Sequence, residues 1–216
     1  MEVKVAKLTH LSLLQKANSF TTGRDSKMDL AKAYKLGHSP IRTQLFWIEM
    51  RDIPLFVASH LVRSHVGIQC FQLSKRPDRG GKDFKQVCED ISNKVNTIPD
   101  IDSGYVYSEA VETISEMIND LPYEFDRYTP TDLACIINAE AIINMSHKRL
   151  CAKASAETRE IWEKIVEEIR KCDRDLANYC VKPCVHCGFC REAKPCGFTK
   201  TDIYQILRED YLKLFS

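Results

Sequence analysis

The sequence predicts an α/β fold. The run Leu45-Phe46-Trp47-Ile48-Glu49-Met50 is short, apolar and aromatic, which is the pattern of a buried strand. Residues Glu157 to Leu176 place Ile161, Trp162, Ile165, Val166, Ile169 and Leu176 on one helical face, with Glu, Lys and Arg on the other. The 216 residues suffice to bury a sizeable core, as one large domain or two small ones.

The elements follow in order. Val3 to Leu14 reads as a strand leading into a helix, and Asp29 to Leu36 as a short helix stopped by Gly37 and Pro40. Gly37-His38-Ser39-Pro40-Ile41-Arg42-Thr43 is turn-like, with many polar tips. Pro54 suits a first helical turn, so the pattern predicts a helix over Leu55 to Val66, with Ala58, Leu61 and Val62 sharing a face. Pro77 to Lys82 reads as a loop, and Ser108 to Leu121 as a helix with Val111, Ile114, Met117 and Ile118 in one stripe. Thr129-Pro130-Thr131-Asp132 has the residues of a capping box with proline at the first helical position, and predicts one helix onward to about His147. A last helix is expected from about Thr201 to Phe215.

The net charge is only +1, which argues against a protein held to nucleic acid by bulk charge. No apolar run reaches membrane-spanning length and the first residues lack a signal-peptide layout, so a cytoplasmic protein is expected. In that compartment the ten cysteines are expected as thiols or metal ligands rather than disulfides.

Polar chemistry gathers between Arg63 and Arg76, where cations, His65, Ser64, Ser74 and Gln72 follow the apolar run Ile53 to Ala58. Arginine forks phosphate oxygens and short hydroxyls orient a ligand, so this stretch has the residues of a site for a phosphorylated molecule. The competing reading is a surface helix with a charged face. Asn138 and Asn144 lie on an otherwise apolar element. Each is either a core amide bonded to nearby backbone or a group whose partner is a ligand.

Three segments together resemble the flavin-dependent thymidylate synthases. Ser39-Pro40-Ile41-Arg42-Thr43 resembles the family's His-x-(Ser/Thr)-Pro-x-Glu-His turn, with Arg42 and Thr43 where Glu and His are usual. The family's Arg-His-Arg, followed at a distance by Ser and Arg, resembles Arg63-Ser64-His65 with Ser74 and Arg76 if one extra residue lies between. Anchoring on Ser74 and Arg76 instead puts His65 on the family histidine; Gln72 takes the place of a glutamate, and His60 that of a glutamine in the first alignment. Asn138-Ala139-Glu140 resembles the family's Asn-Ala-Arg, and Asn144 follows at the family distance. Arg149-Leu150-Cys151-Ala152-Lys153-Ala154 onward to Arg159-Glu160 resembles the family's Arg-Leu-Cys motif without gaps, departing at Ser155, Ala156 and Thr158. The chain is thus similar to a divergent member of that family.

The resemblance implies one domain over residues 1–216, a mixed sheet with long helices, and a homotetramer with shared sites. It implies FAD as cofactor, NADPH and methylenetetrahydrofolate as co-substrates, and reductive methylation of dUMP to dTMP. Carried over by position, Arg149 becomes the catalytic arginine, stabilising charge that develops on the pyrimidine. The dUMP site would comprise His60, Arg63, Gln72, Ser74, Arg76 and Arg149. The FAD site would comprise Ser39, Arg63, Ser64, His65, Gln72, Asn138, Glu140 and Asn144, with Glu140 standing where an arginine meets the flavin phosphate. The departures also admit methyl or hydroxymethyl transfer to another pyrimidine nucleotide.

Five cysteines crowd residues 180–196. Cys184, Cys187 and Cys190 have iron–sulfur-like spacing, and zinc held by four of the five cysteines, such as Cys184, Cys187, Cys190 and Cys196, or with His186 as a ligand, is a further reading. A reduced, partly buried turn of thiols is the third reading. The metal readings admit a function of another class, a metal-stapled module binding nucleic acid or a protein.

Overall fold

Alternating burial sets the strands. In the computed structural model, which describes residues 1–74 and 127–216, Phe46, Ile48 and Met50 are all buried along β2 (Leu45–Pro54). Strand β1 (Glu2–Lys7) pairs with it antiparallel, in register from Glu2↔Arg51 to Lys7↔Phe46. Strand β3 (Ile68–Gln72) pairs antiparallel with β4 (Pro130–Asn138), from Ile68↔Ile137 to Gln72↔Leu133. The sheet order is β1-β2-β4-β3. At one end the Ala139 N–H donates to the Gln44 carbonyl at 2.9 Å. At the other the Asp52 N–H donates to the Asp132 carboxylate at 2.9 Å. The two contacts run β2 and β4 antiparallel as well. The expected loop over Pro77 to Lys82, the expected helix over Ser108 to Leu121 and Arg76 lie outside the described residues.

Two compact units are distinguished: Met1–Gln72 with Thr131–Ser216, and Leu73–Pro130. The first carries nearly all of the described elements. Its helices are α1 (Leu11–Thr22), α2 (Leu30–Leu36), α3 (Leu55–Val62), α4 (Ala139–Arg149), α5 (Ala156–Cys172), α6 (Arg174–Tyr179), α7 (Pro183–Cys187) and α8 (Asp202–Lys213). A 3₁₀ turn over Ser39–Thr43 joins α2 to β2.

The strand–helix reading of the N-terminus, the short helix stopped by Gly37 and the strand at Leu45 are all present. Asp29 caps α2 through the Lys32 N–H at 2.7 Å, and Gly37 ends it in the left-handed conformation. The helix expected at Pro130 is instead a strand followed by a helix. Thr131, Leu133, Cys135 and Ile137 are buried at alternate positions, and β4 is flanked by β2 and β3. Period-two burial with pairing on both sides overrides the local capping signal. Helix α4 starts at Ala139, where Asn138 supplies the cap. The helix expected to reach Val66 stops at Val62, because the chain must reverse through Gly67 to enter β3.

The long amphipathic helix ends at Cys172 and restarts at Arg174. Asp173 causes the break. Its carboxylate accepts from the Leu176 N–H at 3.0 Å, from Lys7 Nζ at 2.6 Å and from the Tyr34 hydroxyl at 2.8 Å. A buried carboxylate with those three donors is satisfied, and it pins α6 to β1 and α2. Ile161, Trp162, Ile165 and Ile169 of α5 are buried, and α5 packs against β1 and β2. Each such side chain contributes roughly 1.5–3 kcal/mol. The Trp162 indole donates to Ser146 Oγ at 2.9 Å, which donates to the Ile142 carbonyl at 2.7 Å. That chain of bonds fixes α4 against α5.

Candidate functional site at the two ends of α4

Helix α4 carries a different cluster at each end. At its first turn, Glu140 forms a two-toothed ion pair with Arg42 of the 3₁₀ turn: Nε to Oε2 at 2.8 Å and Nη2 to Oε1 at 3.1 Å. A carboxylate in the first turn also complements the helix dipole. Arg42 and Glu140 stand where the resemblance leads one to expect Glu and Arg, and here the two residues are paired with each other. Sequence reasoning missed this, although two opposite reversals were the available signal.

Beside the pair, Asn138 Oδ1 accepts from the Ala141 N–H at 2.9 Å, and the Asn138 N–H donates to the Gly67 carbonyl at 2.9 Å. Gly67 has φ +75°, and a Cβ there would lie 2.4 Å from Asn138 Nδ2. The asparagine is therefore a helix cap, held by a glycine that no other residue can replace without strain. Of the two readings open for Asn138, the structure supplies the backbone partner. Ser39 is exposed on the 3₁₀ turn, and Asn144 is at an exposed position of α4.

At the other end, Arg149 donates through Nη2 to the His60 carbonyl at the end of α3. Its Nε is buried and has no hydrogen-bond partner among the described residues. Burial and the nearby Arg63 guanidinium both hold the Arg149 pKa below its ordinary value. Two arginines converging, one with an unmet buried donor, make a place that favours negative charge. The structure thus brings His60, Arg63 and Arg149 together. The 11 residues of α4 separate this cluster from the Asn138 end by about 16 Å.

Ser64 and His65 lie on the turn between α3 and β3, with His65 exposed. Gln72 is exposed at the end of β3, which is an edge strand among the described residues, and Ser74 follows it half-buried. The stretch from Arg63 to Ser74 is thus a turn and an edge strand, not a surface helix.

The cysteine-rich segment differs from the four-cysteine metal set. Among the described residues no three His, Cys, Asp or Glu side chains converge as metal ligands. Cys187 is turned away from the others, its thiol directed at the Pro183 and Phe189 carbonyls at 2.9 and 3.1 Å. Gly188, at φ +87°, reverses the chain immediately after it. A small cavity is lined by Cys184, Cys190 and Cys196 together with Cys151. Hydrogen bonds from α8 hold the segment: Tyr204 donates to the Gly188 carbonyl at 2.9 Å and Arg208 to the His186 carbonyl at 2.8 Å.

Nearby, and unanticipated from sequence, the rings of His147 and His186 stack with centroids 4.3 Å apart. His186 Nδ1 lies 2.8 Å from the Tyr211 hydroxyl. Burial, then His186 and Arg191, push the His147 pKa down to about 4. No helix among the described residues is long and apolar enough to cross a membrane.

A family model described as "Thymidylate synthase complementing protein" matches residues 4–173. A comparison with curated protein sequences finds no match. Two solved structures of the Helicobacter pylori flavin-dependent thymidylate synthase, each with FAD and dUMP, are similar in fold. One has a TM-score of 0.58 at 17% identity, covering 84% of this chain and 100% of that chain. The other has a TM-score of 0.57 at 18% identity, with the same coverage.

Proposed function

We propose that this chain, which belongs to the family of thymidylate synthase complementing proteins, the flavin-dependent thymidylate synthases, makes dTMP from dUMP by reductive methylation. The co-substrates in this reading are methylenetetrahydrofolate and NADPH, and the cofactor is FAD. The observation that carries it is the cationic end of α4. There the buried Nε of Arg149 has no partner among the described residues, and the side chain lies near Arg63. A pyrimidine ring on which negative charge develops completes that geometry, and arginine can stabilise the charge without giving up its own proton.

The residues also fit a long dinucleotide. The two clusters lie about 16 Å apart along α4, and a cation, Arg42, stands exposed at the far one. FAD, when bound, supplies the hydride chemistry that side chains lack. The protein's share is binding and orientation. Gln72, Ser74 and Arg76 hold the nucleotide, with Arg76 on its phosphate. His60 fixes the Arg149 fork through its carbonyl. Ser39, Arg63, Ser64, His65, Asn138 and Asn144 line the flavin, with the Arg42–Glu140 pair at its edge. A homotetramer with shared sites is part of this reading, as the family resemblance implies. We take residues 1–216 as one functional domain acting in the cytoplasm.

Gln72, standing where the family has a carboxylate, favours one second reading: transfer of methyl or hydroxymethyl to another pyrimidine nucleotide. Anaerobic incubation with dUMP, methylenetetrahydrofolate and NADPH, followed by mass spectrometry, separates the two. dTMP is the expected product. A hydroxymethylated product, or turnover with a different nucleotide only, selects the second reading. No product with any pyrimidine nucleotide overturns both.

A further inference from the structure

We infer that Cys70 and Cys135 are a site of reversible oxidation, closing a disulfide between β3 and β4. The pair lies outside the residues assigned to nucleotide or flavin. Cys70 and Cys135 are directly opposite in the β3–β4 register, and their sulfurs are 2.7 Å apart.

The ladder explains the approach. The Asn138 N–H donates to the Gly67 carbonyl at 2.9 Å, so Gly67 and Asn138 are a hydrogen-bonded pair of the register that continues from Ile68↔Ile137. Hydrogen-bonded and non-hydrogen-bonded pairs alternate along an antiparallel ladder. Ile68↔Ile137 is then non-hydrogen-bonded, Gln69↔Ile136 hydrogen-bonded and Cys70↔Cys135 non-hydrogen-bonded. In such pairs the Cα atoms are about 4.5 Å apart and the side chains close together. That separation lies within the roughly 4.4–6.8 Å that a disulfide spans. The backbone therefore need not move for the bond to form.

The two thiols are unequal. Cys135 is buried and Cys70 half-buried. The hydrogen bond from Cys135 holds the Cys70 pKa below the ordinary thiol value, while the same bond and burial raise that of Cys135. Cys70 is the attacking thiolate. It displaces one thiol from a low-molecular-weight disulfide, forming a mixed disulfide at Cys70. Cys135 then gives up its proton and attacks the Cys70 sulfur, releasing the second thiol. Two protein thiols are oxidised and one small disulfide is reduced to two thiols, so atoms and electrons balance.

The bond would tie down an edge strand that carries Gln72. It would also join the points at which the chain leaves and re-enters the unit formed by Met1–Gln72 and Thr131–Ser216. Closing so long a loop restricts the unfolded chain, so oxidation stabilises the fold.

The test incubates the full chain with glutathione disulfide, blocks remaining thiols with N-ethylmaleimide and maps linked peptides by mass spectrometry. The expected result is Cys70–Cys135 as the dominant linkage, with a melting temperature that rises on oxidation and returns on reduction. The Cys70→Ser variant loses both the linkage and the rise. Recovery of Cys70 and Cys135 as alkylated thiols in excess glutathione disulfide overturns the inference. So does a dominant linkage of either one to a different cysteine.

Discussion

Arg42 and Glu140 form an ion pair whose polarity is the reverse of that expected at their positions. The cation stands on the 3₁₀ turn and the carboxylate in the first turn of α4 opposite it. The reversal keeps the two elements clasped, and it puts a carboxylate rather than a guanidinium at the positive end of the helix. Any flavin phosphate at this end must then be met by Arg42.

The first prediction uses that reversal. Arg42→Glu and Glu140→Arg each place like charges opposite one another and lower the melting temperature, and Arg42→Glu also removes the cation offered to the flavin phosphate and weakens FAD binding. The double variant recovers stability, since it restores a pair. Thermal melts and flavin fluorescence titration over the four proteins check the coupling. Additive losses in the double variant contradict it.

Arg149→Ala is expected to lower turnover by about 100-fold or more while FAD remains bound, the loss typical for removal of one preorganised charge-stabilising donor. Arg149→Lys recovers little, because lysine lacks the planar fork that reaches the His60 carbonyl and keeps Nε in place. Single-turnover kinetics and the flavin spectrum, measured on the same samples, separate chemistry from binding.

Gly67→Ala brings a Cβ to 2.4 Å from Asn138 Nδ2 at a φ of +75°. The strained backbone costs about 1–3 kcal/mol, and displacement of the Asn138 cap adds about 1 kcal/mol. Urea denaturation of the two proteins measures the difference.

Several elements of the fold could be seen in the sequence, and the reasons for the misses are physical. The Arg149 motif stood out because its residue types follow without gaps. The α2, β2 and α8 elements were visible because caps and periodicity agree there. Strand β4 was hidden because Thr129, Pro130 and Asp132 imitate a helix start, while burial by two neighbouring strands is a tertiary fact. The Asp173 break was hidden because Ile169 and Leu176 keep helical spacing across it. The Arg42–Glu140 pair joins positions far apart in sequence, and each residue alone looked like a loss. The cysteine spacing left metal and a turn of thiols both open, and the direction of the Cys187 thiol to the Pro183 and Phe189 carbonyls is something spacing alone does not encode.

Acid is expected to destabilise the fold through His147. Its folded pKa of about 4 lies below the ordinary 6.5, so the unfolded chain binds the proton more readily. Stability is therefore full above about pH 6.5 and falls as pH drops towards 4, with His186 and Arg191 opposing the added charge. The loss is on the order of 1–2 kcal/mol once solvent screening is discounted. His147→Phe keeps a ring in the stack and is expected to flatten the slope in that window. Chemical denaturation at a series of pH values measures it.

The most direct test of the flavin reading is the absorption spectrum of the purified protein, followed by anaerobic reduction with NADPH in the presence and absence of dUMP. A bound flavin that NADPH reduces, at a rate that responds to dUMP, is the predicted result. A protein that binds no flavin when FAD is supplied, or whose flavin is indifferent to every pyrimidine nucleotide, would contradict the account.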